Sequence, residues 1–238
     1  DNQLRVPQLG INETVGGQNR FTYLSGKLDH HWNNRWRSSL RVNSSFVDIE
    51  RQGGGLSGGV TFPSASNTQQ RNALNMAGKT IYSQPGFSSE TSLQYARFRW
   101  NYADPVNPDH SQVQVLGPSE NTLAILGHPG YVFNELENTF QFRQKVTIYR
   151  GSHTLKAGAS LISSDHQLTG GGNPNGNYLV KLNQQQLQTL RGRNIGKELR
   201  VDDIPSNADV LNYNVELRPR SFGKRQNIYS VFVEDMYS

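Results

Sequence analysis

The chain has no cysteine among its 238 residues, which excludes a disulfide framework and any thiolate metal site. It has no uninterrupted apolar run of the ~18 residues that a membrane-spanning helix needs. That absence leaves barrel strands open, since each needs only about 9–11 alternating residues. Core-forming residues are scarce: the apolar fraction is 34% and the mean hydropathy −0.67, low against the ~45–50% of ordinary domains even though that base rate also counts glycine. Charge of one sign is also scarce. Lys+Arg 24 against Asp+Glu 19 leaves +5, a scattered excess that argues poorly for nucleic acid, and none is expected as a partner. The first ten residues, DNQLRVPQLG, show no basic segment followed by an apolar one, so no signal peptide is expected. The last eight, VFVEDMYS, break off within a strand-like pattern, and both ends are expected to be cuts.

What is present is glycine (23), phenylalanine (10) and tyrosine (10), set in segments of alternating polarity. The clearest runs from Asn138 to Leu161. Phe140, Phe142, Val146 and Ile148 share one face of its first segment, and Thr139, Gln141, Arg143, Lys145 and Thr147 share the other. After RGSH, Leu155, Ala157, Ala159 and Leu161 alternate with polar residues. This period of two, broken by a short turn, predicts a β-hairpin with one apolar and one polar face. The same pattern predicts strands over 21–29, 35–46, 73–83, 93–102 and 225–237. In the last of these Tyr229, Val231 and Val233 alternate cleanly, but Phe232 falls among the polar set.

Short turns are expected near residues 32–34, 84–90 and 150–153. Residues 1–17 lack a period and read as a loop. So do 50–72, 103–136 and 168–223, although VQVLG and LAIL are candidate short strands and LNQQQLQTL a candidate helical turn or two. Such loops far exceed the usual ~2–5 residues of hairpin connections. Alternating short turns and long loops predict an all-β fold: an antiparallel transmembrane β-barrel portion of about seven strands, with short periplasmic turns and long extracellular loops.

Three segments carry a resemblance. Gly151, His153, Thr154, Leu155, Lys156 and Gly158 resemble a recurrent hairpin of TonB-dependent outer-membrane receptors. Residues 223–238 look like the strand that follows it in that family, and 87–102 like a preceding upward strand. The nearest flavour is the Oar-like group, whose full-length members carry a carboxypeptidase-regulatory-like domain. In architecture the resemblance spans 18–238. It implies an outer-membrane location in a Gram-negative bacterium and uptake of a scarce or bulky substrate with TonB-supplied energy. Implied partners are outer-membrane lipid and lipopolysaccharide, the TonB complex through a plug region, an extracellular substrate and other outer-membrane proteins. No plug is recognisable, and about seven strands fall short of the ~22 of that barrel class. The chain therefore reads as a portion of a receptor barrel. A non-transporting barrel with an adhesion, secretion or scaffold role is the alternative, and a soluble β-rich binding module a third reading.

Two side-chain sets are candidates for function. Arg35, Arg37, Arg41, Lys79, Arg97, Arg99, Arg143, Lys145 and Lys156 are read as a lumen-facing basic wall. It would either guide an anionic substrate or pair with carboxylates of a plug or of neighbouring strands. Trp36, Tyr82, Phe98, Trp100, Tyr102 and Phe140 are read as lipid-facing aromatics.

No enzymatic role, cofactor or metal is expected. His30 and His31 are adjacent on a strand and point to opposite faces. Ser164-Asp165-His166 is contiguous, which gives no nucleophile–base geometry. GRNIGKE, 192–198, departs from a phosphate loop in its glycine spacing. Asp202-Asp203 reads as a solvated pair.

Overall fold

The computed structural model describes residues 2–55, 58–217 and 220–237. Among these residues thirteen strands and one α-helix follow in chain order. They are β1 (Asn2–Val6), β2 (Ile11–Val15), β3 (Asn19–His31), β4 (Trp36–Arg51), β5 (Asn67–Gln84), β6 (Phe87–Pro105), β7 (Gln112–Leu116) and β8 (Thr122–Gly127). Then come β9 (Tyr131–Arg150), β10 (His153–Gly172), β11 (Asn177–Lys181), α1 (Gln184–Gly192), β12 (Asp209–Asn214) and β13 (Ser221–Tyr237).

Seven long strands form one antiparallel sheet in the order β3-β4-β5-β6-β9-β10-β13. Its short connections all lie at one end. Between β3 and β4, Asn33 Oδ1 accepts from the backbone N–H of Arg35 (2.9 Å) and of Trp36 (3.0 Å), a local bond that holds the turn. Pro85-Gly86 joins β5 to β6, with Gly86 at φ 76°. Gly151-Ser152 joins β9 to β10, with Gly151 at φ 59°, the positive value that a two-residue hairpin of the II′ kind needs first.

The opposite end carries a second folded unit. β12-β11-β7-β8 make a four-stranded sheet, in which β7 and β11 pair in parallel, and β1-β2 make a hairpin. Leu4, Val6, Phe62, Leu123, Leu126, Leu182, Leu187 and Leu190 meet in its core. The helix begins at Asn183, whose side chain accepts from Gln186 N–H while the Gln186 side chain accepts from Asn183 N–H. That reciprocal cap satisfies two orphan donors and turns Leu187 and Leu190 inward. The segments 1–17, 103–136 and 168–223, expected as loops, are thus largely a packed cap. VQVLG and LAIL fall in β7 and β8, and LNQQQLQTL holds the first seven residues of α1. The cap residues lie far apart in sequence, so no local period announced them.

Every buried apolar residue among those described belongs to the cap or to the segment 62–65 beneath it; the seven-stranded sheet contributes none. The sheet's large apolar side chains are exposed or half-buried.

Candidate functional site

Residues directly opposite in an antiparallel pair share a face. The register therefore traces rows across the sheet. One row is Leu28, Leu40, Gly78, Leu93, Phe142, Leu161 and Tyr229. Trp36, Tyr82, Val146, Ala157 and Val233 lie on the same face, closer to the short turns. This face is convex: along β6 and β10 its side chains are the more exposed set, while those opposite crowd together. Leu28 is 65% exposed, Leu93 48% and Val231 83%. An apolar surface of this extent is unstable against water and marks contact with another phase or partner.

The band runs obliquely. On the cap side the continuous band ends at Phe46 on β4, Leu74 on β5, Tyr95 on β6, Phe140 on β9 (Leu136 lies beyond the polar Asn138), Leu161 on β10 and Tyr229 on β13. From Phe46 to Tyr229 the edge slips six residues along the strands, about 20 Å, over five interstrand steps, about 24 Å. That corresponds to a strand tilt of about 40°, within the ~35–45° of outer-membrane barrels. On β9 the band runs from Ile148 to Phe140, about 27 Å of strand and about 21 Å along the normal at that tilt, close to the ~25 Å apolar belt of such barrels. Trp36, Tyr82 and Phe87 cluster at its turn-side rim, with ring centroids 4.8 and 6.2 Å apart in succession.

The concave face is polar at the level of this band. Arg37, Arg41, Lys79, Arg143, Lys145 and Lys156 all stand on it, joined by Lys27. Three of these find carboxylates. Lys79 Nζ lies 2.9 Å and Lys145 Nζ 3.9 Å from Glu90, and Lys156 Nζ lies 3.6 Å from Glu234. Lys27 pairs with Asp29 at 2.6 Å. Among the described residues, Arg37, Arg41 and Arg143 have no ion pair. Arg41 and Arg143 line a depression of about 340 Å³ together with Lys27 and Lys79. Arg35 differs from expectation: it sits in the β3–β4 turn, off the wall.

The β6 residues also differ, in opposite senses. Arg97 pairs across to Leu74 and Asn138, and Arg99 to Asn72 and Leu136, which places both on the convex face. Phe98, Trp100 and Tyr102 consequently fall on the concave face, not the lipid-facing one. Trp36, Tyr82 and Phe140 stand on the convex face. The reason is that the face polarity of β6 inverts beyond Tyr95, where the strand leaves the apolar band.

Under the cap, the concave face becomes aromatic. Phe133 stacks on Tyr102 (5.4 Å) and meets Trp100 edge-on (5.0 Å). The Arg71 guanidinium lies 4.1 Å over the Trp100 ring, and Trp100 Nε1 donates to Gln69 Oε1 at 3.1 Å. His166 Nε2 lies 2.8 Å from Glu135. Tyr102, Arg51 and Asn67 line a recess of about 600 Å³ between the sheet end and the Gly53–Gly55 segment. Sequence reading missed this recess because Arg51 and Asn67 lie in the 50–72 stretch expected to be loop.

No described cluster of His, Asp and Glu has the makings of a metal site. His30 and His31 do face opposite sides, as do Asp165 and His166. No helix is long and apolar enough to cross a membrane, which says nothing of strands.

An outward apolar belt, a tilted antiparallel wall and a charged inner face define a membrane β-barrel protein. A family model described as an outer membrane beta barrel domain matches residues 7–238, and the chain belongs to that family. The match places the protein in the outer membrane, with the short turns periplasmic and the cap extracellular by the family's loop asymmetry. Searches of curated proteins and of solved structures found no significant match.

Proposed function

We propose that the chain is part of the barrel wall of a TonB-dependent receptor that takes up a scarce or bulky substrate. The observation that carries this reading is the recess under the cap. Tyr102 and Arg51 line it, and the Trp100–Phe133 cluster and the basic wall lie below on the same concave face. The recess edge is polar. Asn67, which lines it, has a buried Oδ1 without a protein partner, and such an atom favours a polar solute or water beside it. A large inner cation set without enough carboxylates calls for an acidic body in the lumen. A plug domain or an anionic substrate supplies that charge. Both edge strands, β3 and β13, run in the same direction. Antiparallel closure therefore requires additional strands.

The test is binding of the full-length protein to the periplasmic domain of TonB, with outer membranes as the source. Specific, saturable capture supports energised uptake. Absence of capture by a folded, membrane-inserted protein overturns it and leaves the non-transporting barrel with an adhesion, secretion or scaffold role.

A further inference from the structure

Four arginines stand on the convex face beyond the cap-side edge of the apolar band: Arg20, Arg97, Arg99 and Arg225. Two are answered by register. Arg20 is directly opposite Asp48, and Arg225 is opposite Asp165, with Nε 3.9 Å from its carboxylate. Arg97 and Arg99 are not. Their cross-strand neighbours are Leu74, Asn138, Asn72 and Leu136. Arg99 Nε donates to Asn134 Oδ1 at 3.2 Å, and Tyr95 Oη donates to Asn138 Oδ1 at 2.8 Å.

From these positions we infer that Arg97 and Arg99 form a binding niche for the phosphate of a phosphorylated glycolipid headgroup in the outer leaflet. The inference rests on the outer-membrane location. Arg97 stands two residues, about 7 Å of strand, beyond Tyr95, the last apolar member of the band on β6. That is the depth at which headgroup phosphates meet a barrel wall. The two side chains project from the same face of one strand, about 7 Å apart, close enough for two guanidiniums to hold one phosphate or two neighbouring ones through paired N–H donors. The amides of Asn72, Asn134 and Asn138 around them suit sugar hydroxyls and acyl carbonyls. A carboxylate placed opposite, as at Arg20 and Arg225, would have consumed this charge.

The experiment extracts the protein from outer membranes in mild detergent and measures co-purified glycolipid by phosphate assay and mass spectrometry. An R97Q/R99Q double variant is expected to retain about tenfold less or lower still. R97K/R99K, which keeps charge without the forked donors, is expected to retain an intermediate amount. R41Q/R143Q on the concave face is expected to match the unaltered protein. Retention is expected to survive added inorganic phosphate; displacement by it would show a free-anion site and overturn the inference. Equal retention by R97Q/R99Q would also overturn it. Folding is read from the heat-dependent gel shift, and membrane insertion from flotation with liposomes. A variant that floats and shifts normally while losing glycolipid supports the niche, and an unaltered protein that fails to float fails the membrane reading instead.

Discussion

The ring of Phe232 lies over the bare Cα of Gly158, its direct cross-strand partner in the β10–β13 pair. A Cβ on Gly158 would stand 2.8 Å from Phe232 Cζ and 2.8 Å from Gln144 O, so the ring fits only because this residue has no side chain. Phe232 thereby covers a glycine that would otherwise leave backbone bare on the concave face.

Gly158→Val is expected to expel that ring and destabilise the barrel by about 1–3 kcal/mol. The G158V/F232A double variant is expected to recover much of the loss. Urea unfolding in lipid vesicles, followed by tryptophan fluorescence, measures both. Additive losses would show that the two residues do not share the space.

Burial pushes the His128 imidazole below the ordinary histidine value of 6.5. Its Nδ1 accepts from the backbone N–H of Gly130 at 3.0 Å, which requires the neutral ring at that nitrogen. As pH falls through about 6.5 the unfolded chain takes up a proton that the folded cap resists, so the cap loses stability below that pH and is unaffected above it. Proteolysis of the cap is expected to accelerate between pH 7.5 and 5.5, and His128→Asn to flatten that dependence. Cap cleavage that is independent of pH in the unaltered protein would contradict this.

Leu93 and Gln94 are neighbours on β6 with opposite facing. Leu93→Arg places a cation in the middle of the apolar band and is expected to cost about 2–4 kcal/mol in a bilayer. Gln94→Arg adds the same side chain to the concave face and is expected to cost less than about 1 kcal/mol. Reversible unfolding from vesicles compares the two, and equal costs would contradict the assigned faces.

The strands and their turns were legible because each membrane-crossing segment alternates over its whole apolar stretch. The hairpin of β9 and β10 shows this best, with Phe140 to Ile148 and Leu155 to Leu161 facing one way. Facing was legible only inside the band. On β6 the pattern continues without a break through Tyr95, Arg97 and Arg99. Yet the convex face changes from apolar to basic there, and the concave face from polar (Ser92, Gln94) to aromatic (Phe98, Trp100). Reading one parity as lipid-facing along the full strand inverted these residues. Only the cross-strand register to Phe140 and Asn138 resolves them. Phe232 breaks the parity of β13 inside the band, and its concave facing matches the glycine directly opposite it, Gly158.

The cap was hidden differently. β11 pairs with β7 from more than sixty residues away and with β12 after α1 intervenes. Strands of five or six residues joined this way carry too little periodicity to stand out from loop.

The facing of β6 tests the account most directly, and the absence of native cysteine makes a single-cysteine scan unambiguous. Spin labels placed one at a time from 91 to 100, in protein reconstituted into bilayers, report access to oxygen dissolved in lipid and to a water-soluble nickel chelate. The structure predicts lipid access at 91, 93 and 95, headgroup-level access at 97 and 99, and no lipid access at 92, 94, 96, 98 and 100. Lipid access at 98 and 100 with lumen access at 97 and 99 would contradict it.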